Sequence, residues 1–500
     1  MKKSIAALIA LFILAAAILP GCSKLKETPY SAIFNNVFYK TSNDAEAALA
    51  AAYDPLASMY LGPSTIMASD FSADQAYPRI VVGRNTMTSF SYDANYTLQK
   101  TNARLYESPE QIWTSGYAGI ERANLLIENI PAIDMDTVRR NSIVGNGYFL
   151  RAFYNWMLSK NFGDIPLKLK STSGVGNAFT AKSAMADVYK QIYSDLDQAI
   201  PLLQSYATGT IRKGEPSREV AMALYAKAAL YISDWPTAEA KAVQVINSGV
   251  YHLMPNVLDV YDVTKEDAAR QENMWAFESE SVSLGRHQNL TNLTGPGTFA
   301  SVVYGPAGSG SMFVYEAFFN SFDPVDKRRL LMDTSAVNTA GVRIPQKTIT
   351  PITPQGVLIK KYIDPSPVIA GSSGSNIPIL RLADIYLIAA EAEARLNGAT
   401  AAAYNFVLPV RQRAGLANLP AGLNQNDFIN AILQERSWEL FAEGDRWYDL
   451  TRTNTFLTVI PKAVNNVYPV RTPAARNRYF PIPLDEINAN PLLKQNPDWQ

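Results

Sequence analysis

Apolar residues recur at alternating steps of three and four along much of the chain, the spacing that sets one face of an α-helix against a core. NDAEAALAAAYDPLASMY (43–60) opens on an Asn/Asp cap and runs helically until Leu61-Gly62-Pro63 stops it. PEQIWTSGYAGIERANLLIENIP (109–131) puts Trp113, Tyr117, Ile120, Asn124 and Ile127 on one stripe, opened by Pro109 and closed by Pro131. DTVRRNSIVGNGYFLRAFYNWMLSKNFGDIPL (136–167) is apolar on nearly every face around Phe149, Phe153 and Trp156, so a buried helix ending at Gly163 is predicted. Helices are also predicted at 184–203, 218–233 and within 233–253, the last followed by a glycine turn into a short strand carrying His252. Residues 71–101 lack this period and are rich in aromatics. Between about 254 and 378 Gly, Pro, Ser, Thr and Asn dominate, with β-type runs such as GVLIKKYI (356–363). Helical spacing returns at 382–398, 399–415 and 424–444, and a proline-punctuated, extended tail follows.

The helices come in pairs joined by short turns, with small residues where partners would meet: Ala390, Ala392 and Ala394 against Ala399, Ala401 and Ala402. The predicted architecture is mainly α, a tetratricopeptide-like α-solenoid with a loop-rich insertion of minor β content. It divides the chain into a helical region (22–253), a variable region (254–378), and a C-terminal helical region with its tail (379–500). At 500 residues the chain is too long for one ordinary core.

Composition narrows the function. Lys+Arg and Asp+Glu balance at 45 each, so no global field draws the chain to nucleic acid. Two histidines, His252 and His287, leave little for a histidine metal site or a Ser–His–Asp machine, and no metal or cofactor is expected. Lys2 and Lys3 precede an apolar run ending in LPGC, which reads as a signal peptide over residues 1–21. LPGC resembles the lipobox of bacterial lipoproteins, in which the cysteine is acylated and becomes the mature N-terminus. Cys22 is the only cysteine of the chain, so it has no disulfide partner within it. Residues 23–40 read as an extended lead from that anchor.

Six stretches, in order, resemble the SusD/RagB family of outer-membrane nutrient-binding lipoproteins. They are WTSGYAGIERANLLIENI, GNGYFLRAFYNWMLSKNFGDIPL, SREVAMALYAKAALYISDWPTAEAKAVQVINSGVYHL, ILRLADIYLIAAEAEARLNG, QERSWELFAEGDRWYDLTR and PIPLDEINANPLLKQNPDW. The resemblance implies a helical, lipid-anchored protein on the cell surface. It implies that such a protein captures a glycan, or a peptide as in RagB, and passes it to a SusC-like TonB-dependent transporter without catalysis. One departure is Leu408-Pro409, where the family carries an Asn-x-Val-Arg-like run and where a kink is expected.

The residues themselves point to recognition. FAEGDRWYDLTRT (441–453) carries five charges in thirteen positions, in a chain only 18% charged. Glu435, Glu439 and Glu443 share one helical face. The pairs Arg436–Glu439, Glu443–Arg446 and Asp449–Arg452 are three apart, a spacing that allows ion pairing where the chain stays helical. Gly444 is expected to end the helix, DRWYDLTR to fold back as a second element, and the charges to form a structural ion-pair network joining the last helix to the core. Carboxylates so paired make poor proton donors. Glu391 and Glu393, two apart, cannot form a dyad, and GPAGSG (305–310) lacks the frame of a phosphate loop. Flat aromatic rings stack on sugar rings while Asp, Asn and Arg bind their edges. Such residues gather in the two irregular regions: Asp70, Asp74, Tyr77, Arg79, Tyr92 and Tyr96 in the first, and Trp275, Arg286, Asn289, Asn292, Tyr304 and Phe313 in the second. A surface glycoside hydrolase using Asp70 with Asp74, and a transporter plug without affinity of its own, are the alternatives from other classes.

Overall fold

The computed structural model describes residues 38–280, 287–348, 356–366 and 372–500. The signal peptide, Cys22, nearly all of the extended lead and Arg286 lie outside the described residues.

Helix α1 (Ser42–Tyr60) starts at Thr41, whose side chain accepts from Asp44 N (3.2 Å) while the Asp44 carboxylate accepts from Thr41 N (2.8 Å). Helix α2 (Pro109–Asn129) has Pro109 in its first turn, where no intrahelical N–H is needed. Helix α3 (Thr137–Phe162) is capped by Asp136 and ends at Gly163, whose φ of +76° few other residues adopt. As its all-round apolar pattern predicts, α3 is buried over most of its length, packed between α2 and α4 (Met185–Leu202) and touching α1. The α2–α3 crossing is close: a Cβ on Gly119 would sit 2.3 Å from the Tyr154 ring, whose hydroxyl donates to Ala52 O (2.9 Å) on α1.

The stack continues through α5 (Arg218–Tyr231) and α6 (Trp235–Ser248) to α7 (Leu382–Asn397), each packed on the last. Helices α8 (Ala401–Arg413) and α9 (Gln425–Glu439) both pack on α7. Because α6 touches α7 directly, the solenoid is continuous in space although well over a hundred residues separate the two in sequence. The intervening segment loops out and packs back as short pieces. It contributes to four of the five two-stranded antiparallel ribbons seen among the described residues.

Four expectations need correction. Residues 250–253 form no strand; His252 is exposed and its N–H donates to Gln271 O (2.8 Å) without a ladder. GVLIKKYI yields a strand only at Leu358–Ile359; beyond it Lys361 turns inward to the Glu443 carboxylate and Glu439 O. At the α7–α8 contact Ala403 is the buried alanine, while Ala401 and Ala402 are exposed. Thr400 sets that phase by capping Ala403 N (3.1 Å). Finally, α9 stops at Glu439 rather than Gly444, with consequences for every charge that follows it. No helix among the described residues is long and apolar enough to cross a membrane.

Candidate functional site

Past Glu439 the chain turns through Ala442 (φ +60°) and Gly444 (φ +83°) before a new helix, Arg446–Arg452. Glu443 and Arg446 therefore do not share a helix, and the expected local pairing gives way to long-range pairing. Of the three predicted pairs only Asp449–Arg452 forms (2.8 Å). Arg436 turns to Asp384 (2.6 Å) and Asp449 (2.9 Å), and Arg446 to Asp74 (2.8 Å). Glu443 meets Lys361 (2.6 Å) and Arg381 (2.7 Å). Arg381 also holds Glu272 (3.0 Å) and Glu439 (2.9 Å), and Arg413 reaches the same two carboxylates. Arg328 joins Asp326 (2.7 Å), Glu435 (2.6 Å) and Glu439 (3.3 Å).

This network is buried and ties the looped-out segment, through Glu272, Arg328 and Lys361, to α7–α9. Burial alone would raise the Glu439 carboxyl, but Arg413, Arg381 and Arg328 outweigh it and hold the group well below the usual carboxylate range. Burial would likewise raise the Asp384 carboxyl, but Lys227 and Arg436 outweigh it and hold the group below the ordinary value. Acids held ionised in this way cement structure; they are unsuited to give up a proton near neutrality.

The Asp70–Asp74 pair offers a substrate no acid–base couple for a different reason: Asp70 is sealed in the core and Asp74 is clamped by Arg446. Asp74 accepts two hydrogen bonds from the Arg446 fork (2.8 Å each), which keeps it ionised against the effect of burial. Asp70 is fully enclosed, and among the described residues neither of its side-chain oxygens has a hydrogen-bond partner of good geometry. Burial, reinforced by Asp445, pushes its carboxyl well above the ordinary value.

The structure does bring the two irregular regions together. Ala76–Pro78 pairs antiparallel with Met312–Val314, setting Tyr77 opposite Phe313, and Arg79 N donates to Ser311 O (3.0 Å). Most of the aromatics singled out by sequence are fully or almost fully buried there. Tyr77 and Phe313 are wholly enclosed, with Tyr315 4.6 Å from the Tyr77 ring. Tyr92 packs between Phe480 and Trp499, and Tyr96 donates to Pro481 O (2.9 Å). Tyr304 is buried beside Asp333. Asn292 accepts from Ser309 N through its side chain (2.8 Å) and donates to Asn289 Oδ1 (2.9 Å), so both shape the loop. Trp275 lies apart from this junction, its indole donating to Gly214 O (2.8 Å).

What remains accessible at the junction is Arg79. It makes no ion pair or side-chain hydrogen bond among the described residues, whereas its neighbours Arg84 and Arg104 share Glu107 (2.6 and 3.1 Å). Burial, then the adjacent Arg84 and Arg104 charges, lower its guanidinium from the ordinary value. Around it Ile80, Val82, Leu98 and Tyr106 are exposed large apolar side chains. The turn at Gly83 lies against Leu98 O (3.0 Å from an added Cβ), and Arg84 pairs with Glu107, next to Tyr106 in the chain, so these three segments adjoin. Sequence reasoning passed over Tyr106; its signal was a tyrosine in the polar run ARLYESP, outside any apolar stripe.

Comparison with known proteins bears on the family and the fold. The SusD family model matches residues 334–499, and the model described as starch-binding associating with outer membrane matches residues 33–230. SusD-like protein P2 of Formosa agariphila is 28% identical over 98% of this chain and 99% of its own length, and SusD-like protein P25 of the same organism 26% identical over 94% of each. Among solved structures, a laminarin binding SusD-like protein superposes with a TM-score of 0.74 at 24% identity, covering 92% of this chain and all of its own. Surface glycan-binding protein A from Bacteroides uniformis gives 0.76 at 23% identity, covering 91% of this chain and 99% of its own. The chain belongs to the SusD-like family.

Proposed function

We propose that this protein is a lipid-anchored, outer-membrane glycan-binding protein that captures an oligosaccharide and passes it to a SusC-like TonB-dependent transporter without transforming it. Membership of the SusD-like family carries the reading. The naming of two structural neighbours as laminarin binding and surface glycan-binding supports it. So does the internal pairing of the buried acids around Glu439. Ligand would meet the Arg79–Tyr106 face, where a tyrosine ring and aliphatic groups suit sugar ring faces and the unpaired guanidinium suits hydroxyl edges. Acylation of Cys22 would supply the anchor, since more than one acyl chain gives stable membrane attachment.

Membrane fractionation of the native host tests the anchor and the partner together. The native protein is expected in the outer-membrane fraction, co-purifying a TonB-dependent transporter. The C22A variant is expected in the soluble fraction, with uptake of labelled glycan reduced to that of cells lacking the protein. Membrane retention of C22A, or full uptake by cells expressing it, would refute the anchored-delivery reading.

A further inference from the structure

The loop joining α4 to α5 (SYATGTIRKGEP, 205–216) arches over a surface cleft far in sequence from the Arg79 face. Gly209 (φ +65°) and Gly214 (φ +82°) give the loop its turns, and the Trp275 indole holds it down through Gly214 O. Trp275 is itself fixed edge-on to Phe149 and Phe153, each 4.9 Å away, so the floor is rigid. The cleft has two lobes of about 380 and 410 Å³ that share Arg212–Glu215, Ala276 and Glu278. One lobe reaches Tyr206 and Tyr251; the other reaches Tyr53 and Leu56 on α1. Each is of the size expected for a small-molecule site.

Two features say what the cleft accepts. The first is the Tyr206 ring. It is half-buried and stacked on Tyr251 (4.5 Å, 20° between planes), which is pinned by its hydroxyl to Ser217 Oγ (3.0 Å). The Tyr206 hydroxyl has no hydrogen-bond partner among the described residues. A ring held in place this way loses little freedom on stacking against a ligand. The second is charge. Arg139 bonds Glu46 and Glu215 (2.7 Å each), Arg212 bonds Glu46 (2.7 Å), Lys213 bonds Asp267, and Arg270 bonds Glu278. Four cations thus meet four carboxylates around the cleft. A charged ligand would have to break a pair, whereas hydroxyl groups can use the remaining lone pairs and N–H groups. Asn273 at the wall donates to Val260 O (3.0 Å), which fixes its amide.

We infer that this cleft is a second binding site, for a neutral oligosaccharide, separate from the Arg79–Tyr106 face; the inference rests on the glycan-binding reading above. Titration calorimetry tests it with β-1,3-, β-1,4- and α-1,4-linked gluco-hexasaccharides and with an acidic oligogalacturonate. The native protein should bind a neutral member at two sites per chain. Y206A should reduce this to one, as should A207W, which fills the mouth of the cleft from an exposed lining position. Y106A should remove the other site and leave the cleft intact. Binding by the native protein that keeps its stoichiometry and affinity in both Y206A and A207W would overturn the second site. Preference of the cleft for the acidic probe would overturn its neutral class. Binding of no member by the native protein would instead count against the glycan reading as a whole.

Discussion

Replacement of Arg381 by methionine is expected to destabilise the fold by about 3–5 kcal/mol, enough to lower folded yield sharply. The side chain is almost completely buried and contacts Glu272, Glu439 and Glu443. Methionine fills much of its volume but leaves three enclosed carboxylates short of a counter-ion. The exposed Arg122–Asp54 pair (2.8 Å) is the matched control, and R122M should cost less than about 1 kcal/mol. The effect has a pH signature. Glu439 and Asp384 have folded-state pKa values depressed by their guanidinium and ammonium partners. Their contribution is present above the unfolded carboxylate pKa of about 4 and is lost as pH falls through the folded value. Native protein should therefore lose stability steadily below about pH 5, and R381M should show a smaller acid-dependent loss. Chemical denaturation across pH measures both; equal midpoints for R381M and R122M would refute the structural role of the network.

Replacement of Asp70 by asparagine should have the opposite sign. Burial, with Asp445 and Glu443 adding and Lys361 opposing, raises the Asp70 carboxyl. The folded protein then keeps this proton at pH values where the unfolded chain has released it. The associated stability is complete below the unfolded pKa of about 3.9 and disappears as pH rises through the folded value, falling by about 1.4 kcal/mol for each pH interval of one between the two. A neutral amide of the same shape avoids that loss. D70N should thus unfold at a higher midpoint than native protein near pH 7, with the difference vanishing near pH 4. A lower midpoint for D70N at pH 7 would show that the carboxylate is satisfied in the fold.

The helices were legible because each rests on a local signal: Pro109 at a first turn, Gly163 at a C-terminus, and apolar residues on every face of α3. The class of the fold followed from the paired helices. The network around Glu439 was only half legible. Its burden of paired charge showed in the sequence, but its partners did not. A helix ending at Glu439 instead of Gly444 swaps near neighbours in sequence for Arg381 and Lys361, far away in the chain. The candidate binding residues were least legible. Tyr77, Tyr96 and Phe313 lie in irregular segments that look like surface loops, yet those segments fold onto each other and use the rings as their own core. Tyr206 and Tyr106 sit in polar runs without a period, and only the folded chain shows their exposure.

The proposed role of the scaffold is to hold cargo without transforming it. It is tested most directly by titrating the purified protein with a neutral oligosaccharide that it binds while following reducing-end release in the same cell. The account predicts saturable heat and no release above that of buffer. Reducing ends accumulating in proportion to protein concentration would contradict it.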